Sequence, residues 1–125
     1  MSWDGRNRRK FPRVLFPCLI KIRGGKEGKD AILTHTENLS TGGVRVILKN
    51  GVAMGSVIEV EIDLMDIGEH LHCRGIVVWS EQRKSSEEFK PDFYDIGIEF
   101  ASVDDSSQKR LEQIINHHIK QGNQL

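Results

Sequence analysis

The sequence predicts an all-β fold, a six-stranded antiparallel β-barrel followed by one C-terminal helix. Six short segments alternate apolar with polar residues, which is the period of a strand that buries one face. Turns or loops separate these segments without any helical pattern, which favours antiparallel neighbours that close into a small barrel. Only after residue 100 does the apolar spacing become that of an amphipathic helix.

The first two predicted strands cover residues 14–22 and about 30–37. The inward positions of the first strand alternate strictly and are Val14, Phe16, Cys18, Ile20 and Ile22. Pro17 interrupts this strand, and because proline cannot donate to a strand ladder, it indicates a sheet edge or a bulge. A short polar segment, residues 38–43, is expected to end the second strand.

The other four predicted strands follow the same pattern. The third covers residues 44–48 and the fourth covers residues 58–64, whose charged face is expected to be wet. The fifth, residues 71–80, would point alternate residues as far as Trp79 into the barrel. The sixth, residues 94–100, closes the sheet, and closure leaves no unpaired strand edge.

The C-terminal helix is predicted over about residues 104–121. Its apolar stripe at helical spacing is Leu111, Ile114, Ile115, His118 and Ile119. Candidates for the N-cap lie at residues 104–106, and Asp105 with Gln108 has the spacing of a capping box. Gly122 ends the helix. The apolar face is expected to plug or flank the barrel, and docking of a partner protein on this helix is the alternative.

Length and charge limit the possible partners. The chain has 125 residues, enough for one domain, and 18 basic residues balance 18 acidic ones. Positive charge is concentrated before residue 14, at Arg6, Arg8, Arg9, Lys10 and Arg13. A local positive charge on a neutral molecule favours a small anionic ligand over a DNA duplex.

Targeting signals are not evident in the sequence. No apolar run approaches the roughly 18 residues of a membrane span, and the N-terminus lacks the apolar core of a signal peptide. We therefore expect no membrane span and a cytoplasmic location. Cys18 and Cys73 are then expected to be reduced, buried thiols, with a redox pair as the alternative.

Catalytic and metal-binding patterns do not emerge either. The histidines lack cysteine or carboxylate partners at ligand spacing, so no metal is expected. We find no nucleophile with a base and orienting group, and no phosphate-binding loop. An enzyme is therefore the weakest hypothesis, and no cofactor is expected.

Two short motifs remain. Residues 8–13 read RRKFPR, at the junction of a flexible basic arm (residues 1–13) and the folded domain (residues 14–125). Pro12 favours an extended backbone, so Arg9 and Arg13 can reach around a compact anion as guanidinium forks. A basic arm that merely stays solvated is the alternative.

The second motif is an Asn, a Ser and a Gly near the end of the second strand. Asn38 and Ser40 point to the same side of an extended backbone, so both side chains can hydrogen-bond one ligand. Gly43 permits a close backbone approach or a positive φ where the next strand begins. An ordinary Asx-turn closed by a glycine pair would also explain this segment.

Taken together, the two motifs resemble those of PilZ domains. Residues 9–13 fit RxxxR and residues 38–43 fit [D/N]xSxxG, in the order and approximate separation found in that family. Residues 75–79 and 94–100, with the terminal helix, are similar to its later strands, so the resemblance covers nearly the whole chain. It implies a six-stranded antiparallel barrel with a C-terminal helix that binds the bacterial second messenger cyclic di-GMP (c-di-GMP).

The resemblance also implies roles by position. Arg9 and Arg13 would hold phosphates and guanine Hoogsteen edges, while Asn38 and Ser40 would hydrogen-bond a guanine. Gly43 would leave room for the ligand. Gly97 would keep the surface of the facing strand free of side chains. An arginine directly before RxxxR, here Arg8, implies that two stacked ligand molecules bind. Its side chain would stack on or clamp the second molecule.

The implied protein is a single-domain receptor or adaptor. The arm would fold over the ligand, and an unidentified effector protein would read the changed surface in motility, biofilm or exopolysaccharide control. One alternative is a small barrel that binds single-stranded nucleic acid through the arm. It needs exposed aromatic residues, and Trp79 lies on a face predicted to be buried. A ligand-free protein-interaction module is the other alternative.

Overall fold

Six antiparallel strands form a closed barrel with the order β1-β2-β3-β6-β5-β4. The computed structural model describes residues 12–24, 31–66, 68–85 and 92–125. Its elements are β1 (Leu19–Gly24), β2 (Ile32–Leu39), β3 (Gly43–Leu48), β4 (Val57–Ile62), β5 (Leu71–Arg83), β6 (Phe93–Ser102) and α1 (Asp105–Lys120). The predicted fold class is confirmed. The basic arm before residue 12, with Arg8 and Arg9, lies outside the described residues.

The barrel interior is filled by the apolar residues that alternate along the strands. Completely buried examples from four different strands are Ile20, Val46, Ile62 and Ile96. Of the two cysteines, which are both free thiols, Cys18 is buried as predicted, whereas Cys73 is only half-buried. Burial nevertheless raises the pKa of Cys73 to about 11, so its thiol is protonated and behaves as a small apolar group.

The first strand starts later than predicted. β1 begins at Leu19, because the backbone around Pro17 leaves the β1–β2 ladder. The side chain of Thr36 on β2 makes hydrogen bonds in place of the missing ladder bonds. Its hydroxyl donates to the carbonyl of Phe16 at 2.6 Å and accepts the amide of Cys18 at 3.0 Å. The alternation still buries Cys18, although the segment before it is not a regular strand.

The second strand ends later than predicted. β2 continues to Leu39, and its register against β3 shifts between Thr36 and Asn38. Thr36 pairs with the inward Val46, whereas Asn38 pairs with Arg45, whose side chain is on the outer face. Asn38 therefore lies on the end of a strand and not in the turn after it.

The fifth strand contains a β-bulge that changes the direction of a tryptophan. Val77 pairs with Ile98 and Trp79 pairs with Gly97, so Val78 is an extra residue on β5. One extra residue moves the following side chains to the other face of the sheet. Val77 is buried, and Trp79 is half-exposed on the outer face. The prediction that Trp79 points into the barrel is wrong.

The C-terminal helix packs on the barrel through its predicted apolar stripe. Leu111 and Ile115 are buried in the same core as the barrel residues. The N-cap is Asp104, whose carboxylate accepts the amide of Ser107 at 2.7 Å, so the capping pair predicted at Asp105 is not used. No helix in the described part of the chain combines the length and apolar character needed to cross a membrane.

Candidate functional site

The end of β2 begins a row of residues that crosses four strands on the outer face of the barrel. Asn38 pairs with Arg45 of β3, and Arg45 in turn pairs with Gly97 of β6. Gly97 pairs with Trp79 of β5. Cross-strand partners lie about 5 Å apart, so the row brings an amide, a guanidinium, a glycine and an indole together on one surface.

Arg13 reaches this surface from the segment before β1. Its guanidinium Nη1 donates to Oδ1 of Asn38 at 2.8 Å. The backbone next to it is fixed because Val14 and Leu39 exchange two hydrogen bonds, of 2.9 and 3.0 Å. Leu39 directly follows Asn38, so this pairing sets one motif beside the other. The structure therefore brings the last arginine of RxxxR against the Asn of the second motif.

Ser40 organises the turn between β2 and β3. Its hydroxyl accepts the amides of Gly42 and Gly43, each at 3.1 Å, and lies 3.3 Å from the carbonyl of Gly43. A backbone bond from Ser40 to the same carbonyl, 2.9 Å long, closes the turn. Because its hydroxyl is bonded within the turn, Ser40 shapes the wall of the site through the backbone it holds.

The glycine of the second motif is required by strand packing. A Cβ on Gly43 would overlap the carbonyl oxygen of Ile98 on β6. Glycine thus lets β3 and β6 approach each other closely at the start of their ladder.

Gly97 supports the tryptophan. A Cβ on Gly97 would overlap the pyrrole part of the Trp79 indole, which lies across this glycine. The space that a side chain at position 97 would fill is therefore taken by an aromatic ring. The half-exposed indole forms part of the surface that a bound molecule would meet.

A cleft of about 980 Å³, a size typical of pockets for small organic ligands, lies on this surface. Arg13, Ser40, Gly43, Trp79 and Gly97 are among its lining residues. The lining also includes residues 41, 42 and 78, the end of β6 with residue 103, and Gln108 of α1. Asn38 adjoins the cleft through its hydrogen bond to Arg13.

A second, smaller cavity of about 500 Å³ contains none of the predicted site residues. Glu59, His72, Cys73 and Arg74 line it, together with the helix cap Asp104. In the described ranges, no group of three or more His, Cys, Asp or Glu residues could hold a metal ion.

The family model of the PilZ domain matches residues 7–117, which include both motifs. The chain belongs to the PilZ domain family. Five of the residues predicted to form the site lie together at or beside the cleft: Arg13, Asn38, Ser40, Gly43 and Gly97. No curated protein sequence matches the chain.

Solved structures share this PilZ fold at low sequence identity. The PilZ domain of YcgR from Escherichia coli, solved with c-di-GMP, has 16% identity and a TM-score of 0.70, and the match covers 92% of this chain and 94% of that one. MotI/DgrA, the inhibitor of motility of Bacillus subtilis, has 20% identity and a TM-score of 0.69, with 92% and 51% covered. The K. pneumonia MrkH–c-di-GMP complex has 19% identity and a TM-score of 0.74, with 92% and 54% covered. The chain thus spans about half the length of the MotI and MrkH chains.

Sequence reasoning missed an ion pair beside this PilZ cleft. Arg45 donates from Nε and Nη2 to the two carboxylate oxygens of Asp95, both at 2.6 Å. Asp95 is almost fully buried, and the hydrogen bonds to its carboxylate raise the pKa of Arg45. The pair braces the outer face of β3 and β6, and Arg83 adds a contact of 3.6 Å to the same carboxylate. Arg45 and Asp95 meet because β3 and β6 are neighbours in the barrel. No local sequence pattern reveals that these two strands are adjacent.

Replacing Gly97 with Ala is expected to displace the Trp79 indole toward solvent, because the added methyl group overlaps the ring. In a Trp3→Phe background Trp79 is the single tryptophan. Its fluorescence should then shift to longer wavelength, and the free energy of unfolding should fall by about 1–3 kcal/mol. Ser102→Ala, an exposed change on the same strand, is the control. An emission spectrum that Gly97→Ala leaves unchanged would show that the ring does not rest on this glycine.

Proposed function

We propose that this protein binds c-di-GMP in the cleft between Arg13 and Trp79 and acts as a receptor rather than as an enzyme. The observation that carries the proposal is the 2.8 Å hydrogen bond from Arg13 to Asn38, which joins the two PilZ motifs at one cleft. Family membership supports it, and so do the c-di-GMP complexes of YcgR and MrkH, which share the fold.

The chemistry of the cleft suits this ligand. Cyclic di-GMP carries two phosphate charges and two flat purines, so it requires fixed cations, polar groups for the base edges and an apolar surface for stacking. Arg13 supplies a guanidinium that can bind a phosphate or a guanine O6/N7 edge with paired donors. Asn38 supplies an amide with both donor and acceptor atoms. The Trp79 indole offers a face on which a purine can stack.

The Arg13 side chain is preorganised for the proposed contact. Its hydrogen bond to Asn38 limits the rotamers of a long side chain whose ordering would otherwise oppose binding. In the proposed complex the guanidinium binds the ligand while it remains beside Asn38. Preorganisation of this kind raises affinity because less conformational entropy is lost on association.

The basic arm supplies the other cations of the proposed site. Arg9 precedes Arg13 by four positions, so its Cα lies within about 14 Å of the Arg13 Cα even in an extended chain. Arg9 would bind phosphate or a guanine edge, and Arg8 would contact a second, stacked ligand. Closure of the arm over the ligand would order a segment, and such a change can be read by another protein.

In this proposal the output is regulatory. The liganded arm and the neighbouring barrel surface would dock on an effector protein in the cytoplasm and so control motility, biofilm formation or exopolysaccharide. MotI, an inhibitor of motility with the same fold, supports control of motility as the output.

Binding of single-stranded nucleic acid is not favoured as the function. The outward position of Trp79 provides an aromatic surface in the cleft that the basic Arg13 also lines. Proteins of that class stack successive bases on several aromatic side chains along a basic groove. The cleft offers two aromatic side chains, Trp79 and the half-buried Phe100, which suits a compact ligand with two purines better than a strand of successive bases.

Arg13→Ala is expected to weaken c-di-GMP binding by about 5- to 150-fold, the equivalent of roughly 1–3 kcal/mol for a bidentate charged contact. Isothermal titration calorimetry measures the change. Arg23→Ala is the matched control, because Arg23 is an exposed cation on β1 away from the cleft. Guanosine mono- and triphosphate test ligand specificity. Equal affinity of the Arg13→Ala variant and the wild type would contradict the proposed site.

The number of ligands tests the role of Arg8. The wild type is expected to bind two c-di-GMP molecules per chain, and Arg8→Ala should reduce the fitted stoichiometry to one because the second molecule loses its cation. Lys10→Ala removes a neighbouring positive charge and serves as the control for net charge. A wild-type stoichiometry of one would contradict the stacked pair while leaving the receptor proposal intact.

A further inference from the structure

The backbone around Arg13 is held from two sides. Val14 forms antiparallel bridges with both Leu39 and Gln124, so residues 13–15 are the middle of a small three-stranded arrangement. Leu39 belongs to the end of β2, and Gln124 follows the end of α1. Val14 is completely buried between them.

The segment after the helix bonds directly to the backbone of the proposed ligand-binding arginine. The amide of Leu125 donates to the carbonyl of Arg13 at 2.9 Å, and the amide of Leu15 donates to the carbonyl of Asn123 at 2.8 Å. Arg13 is therefore fixed at its carbonyl by residue 125 and at its guanidinium by Asn38. A rotation of the Arg13 backbone would have to break the first of these bonds.

Side chains connect the same segment to α1. Nδ2 of Asn123 donates to Nδ1 of His118 at 3.1 Å. The His118 ring stacks on Phe16, with ring centroids 4.2 Å apart and an interplanar angle of 28°. Burial and the neighbouring His117 lower the pKa of His118, which favours the neutral imidazole that accepts this bond. The helix end, residues 123–125 and the backbone after Arg13 thus form one packed unit.

We infer that residues 123–125 are a positioning element for the c-di-GMP site, because they aim Arg13 into the cleft and couple the cleft to the end of α1. The inference rests on the proposed function and extends it. A ligand that binds Arg13 more tightly when its backbone is fixed must, in return, stabilise the bonds that fix it. The chain that follows α1 is thereby a second segment, besides the basic arm, whose stability depends on the ligand.

Two proline variants separate this role from a general structural one. Leu125→Pro removes the amide that donates to Arg13. Gln124→Pro removes an amide that faces away from residues 13–15, because in this antiparallel pairing the inward bonds are made by residues 123 and 125. By calorimetry, Leu125→Pro should weaken c-di-GMP binding by about five- to tenfold, as expected for the loss of one backbone hydrogen bond. Gln124→Pro should change it less than twofold.

Hydrogen exchange of the wild-type protein distinguishes the two roles. If residues 123–125 were purely structural, the ligand would not change the exchange rates of their amides. Saturating c-di-GMP should slow exchange of the Leu125 and Leu15 amides. It should leave unchanged the amide of Met65, which donates to Asp63 in an exposed turn outside the cleft and exchanges by local opening. Because this measurement needs no variant, it decides the question even where Leu125→Pro fails to fold.

The outcomes are distinct. Binding by the wild type, with equal affinities for the two proline variants or with unaltered exchange at Leu125, would overturn the positioning role alone. A wild type that binds no c-di-GMP would contradict the proposed function and this inference together.

Discussion

The pairing of Val14 with Leu39 is the constraint on which the site depends. Two backbone hydrogen bonds join a segment that precedes the barrel to the end of β2, and they do so one residue after Arg13 and one residue after Asn38. Without this pairing the two motifs would be separate features of the sequence. With it, a guanidinium and an amide are 2.8 Å apart at the rim of a cleft.

A second constraint is the bulge in β5. The extra residue, Val78, places Trp79 on the outer face, where the indole lies over Gly97. The same closed barrel that buries the apolar strand faces therefore presents an aromatic ring in the cleft that Arg13 also lines. The amide of Asn38 and the indole of Trp79 come from different strands, β2 and β5, which the closed barrel holds in fixed positions. The Arg45–Asp95 ion pair braces the outer face between them.

The periodic spacing of apolar residues along the sequence predicted most of the fold. Strand alternation indicated the six strands, and helical spacing indicated that Leu111 and Ile115 would be buried. The resemblance to PilZ domains predicted which residues form the site and which ligand they bind. The direction of Trp79 was not predictable in this way, because one inserted residue reverses a strand face without altering composition. The bridge from Val14 to Gln124 was also missed, because it joins the two ends of the domain through isolated backbone contacts that leave no periodic signal.

Nuclear magnetic resonance with isotope-labelled protein tests the central claim most directly, because it reports where c-di-GMP binds without altering a residue. If the two motifs form one site, titration should shift the backbone amides of Gly42, Gly43 and Gly97 together with the indole N–H of Trp79. The amide of Glu59, which lies beside the other cavity, should not move. Shifts confined to the β1–β4 face, with the cleft signals unchanged, would contradict the account.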